Sequence, residues 1–343
     1  MNKVLELEEV SRTFSSGVFR THTVRAVDRV SFALERGKTF GLVGNSGCGK
    51  TTLSRMITRV LKPSGGRIRF EGEDIARLDR KGSRAYHRRV QIIFQNPEAS
   101  QDPSMRIRDS LLESMAIHRL GESREERMEK IRAALGQVGL PNPELVAKRY
   151  PHTMSGGQRQ RVMIAMAMAC NPKILFADEP TTALDVTMQA QILDLMNHLK
   201  EKRGTSILLI THDLGVVAKM ADRIAVMYAG KIVEYGDARQ VFYRPSHPYT
   251  WGLLGAMPNL IQDVKSELYA IPGTPPDLYA PPKGCAFAAR CPYAMEACLK
   301  EDPPEFACGQ GHGSRCWLLD PRAPDVTPPE GIPPLPKGGS DHV

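Results

Sequence analysis

The strongest constraint on the fold is a glycine-rich segment of eight residues that runs from Gly44 to Thr51. An apolar run at 39–43 precedes it and reads as a buried strand, and a helical pattern follows it from Lys50 to about Val60. The pattern G-x-x-x-x-G-K-T in this strand, turn and helix context is typical of a loop whose backbone N–H groups surround a phosphate. The sequence therefore predicts an α/β fold that binds a nucleotide.

Each residue type in this phosphate-binding loop (residues 44–51) suits its chemistry. The glycines let the backbone approach a phosphate closely, and the helix N-terminus adds partial positive charge. Lys50 is expected to place its ammonium on the β- and γ-phosphates, and the Thr51 hydroxyl to ligate Mg²⁺. Cys48 is interpreted as a small filler rather than a reactive thiol. The predicted nucleotide contacts are Gly44, Asn45, Ser46, Gly47, Cys48, Gly49, Lys50, Thr51 and Thr52.

A second apolar run, at 174–177, ends in two adjacent carboxylates, Asp178 and Glu179. Neighbouring side chains on a strand point in different directions, so the two acids can have different roles. Asp178 is expected to hold Mg²⁺, and Glu179 to orient and polarise the water that attacks the nucleotide. The sequence contains no N-K-x-D or T-K-x-D segment that would specify guanine, which argues against a GTPase.

The rest of the chain predicts several regions. Buried strands at 174–177, 207–210 and 224–227 alternate with helical patterns, which indicates a parallel sheet. Alternating apolar and polar residues near the N-terminus indicate an additional antiparallel β subdomain. The predicted organisation is a nucleotide-binding domain at 1–243 with a helical subdomain at about 96–170, a small cysteine-rich domain at 244–320, and a disordered proline-rich tail at 321–343.

Composition excludes some classes of protein. No apolar run is long enough to span a bilayer, and the N-terminus lacks the apolar block of a secretory signal, so we expect a cytoplasmic protein. The net charge of +8 is modest for 343 residues; it argues weakly for an anionic partner and does not by itself exclude nucleic acid. We predict no nucleic-acid partner. The densest basic run, at 80–89, is interpreted as a solvated helix face, with contact to lipid headgroups or a partner loop as the alternative.

Four further segments resemble motifs of the ABC ATPases and occur in the order of that family. Residues 154–158, M-S-G-G-Q, resemble the L-S-G-G-Q signature with Met in place of Leu. Residues 182–185 resemble the D-loop, residues 211–213 resemble the H-switch, and Gln95 resembles the Q-loop glutamine. The resemblance to an ABC cassette covers about residues 3–245, and it implies an ATP hydrolase whose cofactor is Mg²⁺.

The resemblance also implies a composite site. In ABC proteins two cassettes pack head to tail, and each ATP lies between one phosphate-binding loop and the signature of the partner. The signature here opens a helix, whose N-terminus would face the γ-phosphate. Asp185 is expected to help align the two halves of the dimer. The implied signature contacts are Ser155, Gly156, Gly157 and Gln158.

Several single residues receive a role from the same resemblance. His212 would contact the γ-phosphate and hold Glu179 and the water in line. Gln95 would link the nucleotide state to the membrane subunits, and Phe14 would stack on adenine. The predicted catalytic residues are Glu179, His212, Gln95 and Lys50, and the predicted Mg²⁺ ligands are Thr51, Gln95 and Asp178.

The C-terminal region narrows the family. Residues 243–250, which contain H-P-Y, and residues 284–292 resemble the ATPases of oligopeptide and dipeptide importers. That resemblance implies a [4Fe–4S] cluster on Cys285, Cys291, Cys298 and Cys316, with Cys308 and His312 as spare candidates. The spacing C-x5-C-x6-C-x17-C is not a C-x2-C zinc motif, although zinc and free or disulfide-bonded thiols stay open as alternatives.

The implied partners are a second ABC ATPase subunit, identical or different, two transmembrane permease subunits, and an extracytoplasmic solute-binding protein. The chain would be peripheral on the cytoplasmic face of the inner membrane. An importer of nickel, a sugar or another solute is the alternative within the family. A soluble ABC ATPase is disfavoured, since the interval from Lys50 to Ser155 leaves no room for a long coiled coil. A non-catalytic regulator is disfavoured because Lys50, Asp178, Glu179 and His212 are all present.

Overall fold

The computed structural model describes residues 2–16, 22–182, 184–257, 271–279, 281–330 and 332–336. Its strands are β1 (Lys3–Ser16), β2 (His22–Glu35), β3 (Thr39–Val43), β4 (Gly65–Phe70), β5 (Glu73–Asp74), β6 (Val90–Ile93), β7 (Ile174–Asp178), β8 (Ser206–Thr211), β9 (Arg223–Tyr228), β10 (Lys231–Asp237), β11 (Phe306–Gly309) and β12 (His312–Ser314). Its α-helices are α1 (Lys50–Ile57), α2 (Arg80–Arg89), α3 (Ile107–Ile117), α4 (Arg124–Gln137), α5 (Pro143–Lys148), α6 (Gly156–Ala169), α7 (Val186–Arg203), α8 (Leu214–Met220), α9 (Ala238–Tyr243), α10 (Pro248–Gly255) and α11 (Glu296–Lys300).

The chain divides into two units, and the first contains three parallel strands, β6, β7 and β8. That unit comprises Met1–Leu5, Ala33–Thr39 and Arg69–Ile210. Strand β7 lies between β6 and β8 and is parallel to both. All six residues of β8 are buried, as a strand with both faces covered requires. Helices α3, α4, α5 and α6 pack on one another within the region in which the sequence predicted a helical subdomain.

The second unit, Glu6–Phe32, Phe40–Ile68 and Thr211–Val343, carries the phosphate-binding loop. Strand β3 pairs in parallel with β9, and β10 continues antiparallel to β9. Strands β2, β1 and β4 lie side by side in that order. Helix α1 ends at Ile57, earlier than the predicted Val60, because Arg59 takes a left-handed φ of 60° and the Leu61 N–H closes the helix on the Arg55 carbonyl at 2.8 Å.

The C-terminal residues lie in the same unit as the phosphate-binding loop. Strand β12 pairs antiparallel with β10, with Ser314 opposite Glu234, and β11 adds outside β12. The region that we assigned to a separate small domain at 244–320 thus contributes two strands to the sheet of this unit. The sequence did not indicate this, because β11 and β12 are only four and three residues long.

The proline-rich tail departs from its expected disorder. Val326, Ile332 and Leu335 pack on a cluster that includes Trp251 and Leu318. These three contacts favour an ordered arrangement of the segment, since each removes apolar surface from water. Residues 331 and 337–343 of the predicted tail lie outside the described residues. No helix in the described ranges is sufficiently long and apolar to cross a membrane.

A buried carboxylate joins the last strands to the core of the second unit. Glu234 is fully buried on β10, and its carboxylate accepts hydrogen bonds from the backbone N–H groups of Ser246 at 2.7 Å and His247 at 3.1 Å. The ring of His312, on β12, lies 2.9 Å from the same carboxylate through Nε2. Glu234 therefore connects the H-P-Y segment and β12 through one side chain.

Glu234→Ala is expected to lower the free energy of unfolding by about 3 kcal/mol, because it leaves two buried N–H donors and a buried imidazole without their acceptor. Chemical denaturation of the full chain measures this loss. Glu296→Ala is the matched control, since Glu296 and its ion-pair partner Lys300 are both largely exposed and such pairs contribute little. Equal effects of the two substitutions would contradict the prediction.

Candidate nucleotide-binding site

The phosphate-binding loop connects β3 to α1. At two of its glycines the surrounding backbone leaves no space for a side chain. A Cβ on Gly44 would lie 2.3 Å from the Met227 carbonyl oxygen, and one on Gly49 would lie 2.3 Å from the Ala26 carbonyl oxygen. Gly49 also has a φ of 107°, which residues with a side chain rarely adopt. Because the backbone passes so close to its neighbours, the glycines fix the path of the loop that the sequence predicted.

Lys50 is the first residue of α1, and its side chain turns back into the loop. Its ammonium donates hydrogen bonds to the carbonyl oxygens of Gly44 and Asn45, the latter at 2.9 Å. Only 7% of the residue is exposed. The charge is therefore held within the loop, and phosphate oxygens are stronger acceptors than these carbonyls.

The other loop residues differ in their exposure. Ser46, Gly47 and Thr51 are exposed, and Thr51 and Thr52 stand in the first turn of α1. Cys48 is buried, and burial raises the pKa of its thiol, so it is a neutral filler at ordinary pH.

The carboxylate of Glu179 is held in place by two side chains of the first unit. Gln95 donates from Nε2 to Glu179 Oε2 at 2.7 Å, and the Thr182 hydroxyl donates to the same oxygen at 3.0 Å. The Glu179 N–H bonds the Ile210 carbonyl at 2.8 Å, and its φ of 47° turns the chain sharply at the end of β7. The sequence predicted Gln95 and Glu179 but neither their contact nor the role of Thr182.

The turn at Glu179 separates the two adjacent acids. Asp178 is the last residue of β7 and lies opposite Ile210 of β8. His212, in the second unit, directly follows β8 and is exposed. Both residues thus stand at strand ends, the positions from which side chains of an α/β sheet reach a ligand.

The signature residues form the N-terminus of α6. The Ser155 hydroxyl accepts from the Gln158 N–H, and the Gln158 side chain accepts from the Ser155 N–H, each at 3.3 Å, which is a reciprocal capping box. Ser155 is exposed, and a Cβ on Gly156 would meet nothing within 4 Å. This helix end is open to a ligand and carries the partial positive charge that suits a phosphate.

The signature helix is anchored to the segment after Glu179. The Gln160 amide donates to the Pro180 carbonyl at 2.6 Å. A Cβ on Gly157 would lie 2.0 Å from the terminal methyl of Met188, so this glycine allows α6 and α7 to approach. Asp185 caps α7 by accepting the Met188 N–H at 2.8 Å. The proposed D-loop aspartate and the signature therefore meet through Met188.

Phe14 lies on β1 with 39% of its surface exposed. The guanidinium of Arg12 stands 4.7 Å from the centre of its ring. An exposed aromatic face suits stacking on a base, and the adenine contact of Phe14 stays a prediction. Residues 17–21, whose irregular sequence follows it, lie outside the described residues.

The four cysteines predicted to bind iron lie in the second unit. Burial raises the pKa of the Cys285 thiol to about 11 and that of Cys291 to about 12. Cys316 has a pKa well above its usual range, first through burial and then through the nearby Cys291, Cys285 and Cys298. The Cys285 N–H also bonds the Cys298 carbonyl at 2.8 Å. All seven cysteines of the chain are free thiols.

This gathering of thiols is not a metal centre in the structure. Among the described residues, no group of three or more His, Cys, Asp or Glu side chains is arranged to hold a metal ion. Of the two spare candidates, His312 bonds Glu234, and burial raises the pKa of Cys308 to about 11. The residues as placed do not fit the cluster that the resemblance implies.

Known proteins resemble this chain over nearly its whole length. Residues 27–182 match the family model described as ABC transporter, and residues 233–298 match that of the oligopeptide/dipeptide transporter C-terminal region. The oligopeptide transport ATP-binding protein OppD of Bacillus subtilis is 47% identical over 97% of this chain and 93% of its own length. The dipeptide transport ATP-binding protein DppD of Lactococcus lactis is 46% identical over 96% of this chain and 95% of its own.

Solved structures agree on the fold. CbiO1 of Clostridium perfringens, part of the ABC transporter complex CbiONQ, superposes with a TM-score of 0.62 at 28% identity, over 71% of this chain and 91% of that one. A dimeric ATP-binding cassette, MJ0796 bound to ADP and Pi, gives 0.61 at 28% identity, over 68% and 99%. The predicted ABC cassette fold is thereby confirmed, and the chain belongs to the ATP-binding proteins of ABC transporters, in the oligopeptide and dipeptide group.

Proposed function

We propose that this ABC ATPase drives the import of di- and oligopeptides. The observation that carries the substrate class is the match to peptide transport ATP-binding proteins over almost the full chain, including a C-terminal region of the oligopeptide/dipeptide type. The partners are a second ATPase subunit, two transmembrane permease subunits and an extracytoplasmic binding protein. The chain lies peripherally on the cytoplasmic face of the inner membrane.

In the proposed hydrolysis of ATP, Glu179 positions the water molecule that attacks the γ-phosphate. Its carboxylate is held on one side by Gln95 and Thr182, which fixes the direction in which the second oxygen can accept a proton from water. His212 contacts the γ-phosphate and acts mainly through positioning. The Lys50 ammonium stabilises the negative charge on the transferred phosphoryl group.

Thr51, Gln95 and Asp178 would hold the magnesium ion through their side-chain oxygens. A hydroxyl, an amide carbonyl and a carboxylate are hard donors, which Mg²⁺ prefers, so the donor set fits the ion. When bound, Mg²⁺ neutralises charge on the phosphates of ATP.

Uptake assays test the substrate class. Cells that depend on this chain for uptake should lose import of a labelled tripeptide when Glu179 is replaced by Gln, while import of nickel and maltose is unchanged. The tagged wild-type chain should be extracted from membranes together with two permease subunits. Loss of nickel or sugar uptake instead would overturn the peptide assignment, and recovery without any membrane protein would overturn the transport function.

Hydrolysis is proposed to occur at a composite site in which Ser155 serves the ATP bound by the partner subunit. Ser155→Arg is expected to lower ATP hydrolysis by the assembled importer by about 10²-fold, because it fills the open helix end that stabilises the γ-phosphate. Binding of ATP to the isolated chain should be unchanged, since each chain holds its own nucleotide through residues 44–51. Titration of the isolated chain and turnover of the complex measure the two effects.

Ser123→Arg is the matched control for Ser155→Arg. Ser123 also caps a helix, α4, by accepting the Glu126 N–H at 3.1 Å, so its loss costs a similar amount of helix stability. Turnover by the control should stay near that of the wild type. If Ser155→Arg weakens ATP binding to the isolated chain as strongly as it slows turnover, the composite site is wrong.

The iron–sulfur cluster stays a prediction that rests on the resemblance at Cys285, Cys291, Cys298 and Cys316. The side chains as placed do not form a metal centre, and no step of hydrolysis depends on the cluster. Anaerobic purification followed by an iron assay and a visible absorption spectrum tests it. A colourless protein without iron would exclude the cluster, and a zinc content of one per chain would favour the zinc alternative.

A further inference from the structure

A tyrosine of the C-terminal region hydrogen-bonds the phosphate-binding loop. Tyr249 belongs to the H-P-Y segment at the start of α10, and its hydroxyl accepts the backbone N–H of Asn45 at 3.0 Å. The side chain is fully buried, and burial raises its pKa, so the phenol stays protonated. Asn45 directly follows Gly44, where the chain turns out of β3.

The position of Tyr249 is fixed by its neighbours on α10. The imidazole of His247 caps the helix by accepting the Tyr249 N–H through Nδ1 at 3.0 Å. Burial lowers the pKa of His247 to about 3, so the ring stays neutral and keeps this acceptor. The His247 N–H is in turn bound by the buried carboxylate of Glu234. The hydroxyl is therefore presented to the loop by a rigid helix start.

Tyr249 also belongs to a buried aromatic cluster of three rings, Tyr228, Tyr249 and Phe287. The ring centre of Tyr249 lies 4.6 Å from that of Tyr228 and 5.4 Å from that of Phe287. The ring centres of Tyr228 and Phe287 lie 5.3 Å apart. Phe287 lies on the segment from Cys285 to Cys291. The cysteine-bearing segment therefore packs directly on the tyrosine that bonds the phosphate-binding loop.

One further contact ties this segment to the cluster. Arg290, one residue before Cys291, is buried and donates to the Tyr228 hydroxyl at 3.4 Å. The same guanidinium donates to the carbonyl of Pro272 at 2.7 Å. Tyr228 ends β9, next to Met227, whose carbonyl oxygen limits the space at Gly44. The cluster thus contacts the loop through Tyr249, and Tyr228 directly follows the residue whose carbonyl borders Gly44.

A glycine-rich loop must be held in one conformation if its N–H groups are to bind phosphate without an ordering cost. The Tyr249 hydroxyl fixes the Asn45 N–H at the entry of the loop and gives this partly buried donor a partner. We propose that Tyr249 is a positioning residue for the phosphate-binding loop, and that the aromatic cluster couples the Cys285–Cys291 segment to ATP binding. This inference rests on the proposed phosphate-binding role of residues 44–51.

Tyr249→Phe tests the hydrogen bond, since it removes one oxygen and keeps the ring. Titration of the full chain with MgATP should show affinity weakened by about tenfold, the scale of one unsatisfied amide. The KM of the assembled ATPase for ATP should rise by a similar factor with kcat nearly unchanged. Tyr235→Phe is the matched control, because its hydroxyl donates to the Glu305 carboxylate at 2.7 Å and lies outside the aromatic cluster. Wild-type affinity in Tyr249→Phe, or equal weakening in the control, overturns the proposal.

Phe287→Leu tests the coupling and keeps it testable if Tyr249→Phe does not fold. This substitution reduces the packing of the Cys285–Cys291 segment on Tyr228 and Tyr249 and changes no residue of the loop. It should weaken MgATP binding. Phe306→Leu is its control, because Phe306 packs near Trp251 and Trp317 instead. Unchanged affinity in Phe287→Leu, or equal loss in both, overturns the coupling.

Lys50→Ala in the same titration separates this inference from the proposed function. If the wild-type chain binds MgATP and Lys50→Ala does not, the phosphate-binding role of the loop holds. Wild-type affinity of Tyr249→Phe in that case overturns only the positioning role. If Lys50→Ala binds as the wild type does, the assignment of the loop itself is wrong.

Discussion

Glu179→Gln is expected to bind MgATP with near wild-type affinity and to lower hydrolysis by about 10²- to 10⁴-fold, the contribution of a positioned proton acceptor. Glutamine keeps the size of the side chain and can still meet Gln95 and Thr182, so the structure around it should be preserved. What is lost is the basic oxygen that polarises water. ATP that cannot be hydrolysed should keep the two ATPase subunits associated.

Phosphate release from the assembled complex measures the rate, and light scattering with ATP measures the trapped dimer. Glu125→Gln is the matched control, because Glu125 is an exposed carboxylate in the first turn of α4. It should hydrolyse ATP as the wild type does. Wild-type turnover in Glu179→Gln would overturn the assignment of Glu179 as the residue that activates water.

Lys50→Ala is expected to weaken MgATP binding by about 10²-fold, because it removes a charge-assisted contact to the phosphates from an enclosed loop. The wild-type chain should be stabilised by about 2.7 kcal/mol at an ATP concentration of 100 times its Kd, and the variant at the same concentration should gain almost none of this. Fluorescence titration gives the affinity, and thermal unfolding with and without MgATP gives the stabilisation.

Lys62→Ala controls for the loss of one positive charge near the same helix. Lys62 is exposed and lies just beyond α1. Its substitution should change neither the affinity for MgATP nor the stabilisation by it. If the two lysine variants bind MgATP equally well, the ammonium of Lys50 does not contact the phosphates.

Local patterns predicted the elements of the fold closely. The apolar runs at 174–177, 207–210 and 224–227 became the buried strands β7, β8 and β9. Gly44 and Gly49 stand where a side chain would collide with a carbonyl oxygen. These features can be predicted from the sequence because residues adjacent in the chain determine them. An apolar run determines a buried strand, and glycines determine a tight loop.

The start of the signature helix α6 is also a feature that the local sequence indicates. Ser155 with Gln158 three residues later is the pattern of a capping box, and the structure forms both of its hydrogen bonds. The end of α1 was predicted less well, because the left-handed turn at Arg59 depends on how the chain leaves the helix. Likewise the tail at 321–336 was assigned to disorder by composition, although three of its side chains find an apolar surface.

By itself the sequence identified the loop at 44–51 as the candidate phosphate site and Glu179, which follows a buried strand, as a candidate base. Tertiary structure alone decided which side chains hold that base, because Gln95 and Glu179 are 84 residues apart. It also placed the Tyr249 hydroxyl on the Asn45 N–H, across 204 residues. Backbone conformation follows from neighbours in the chain, whereas a hydrogen bond between distant residues exists only after the core has brought its two partners together.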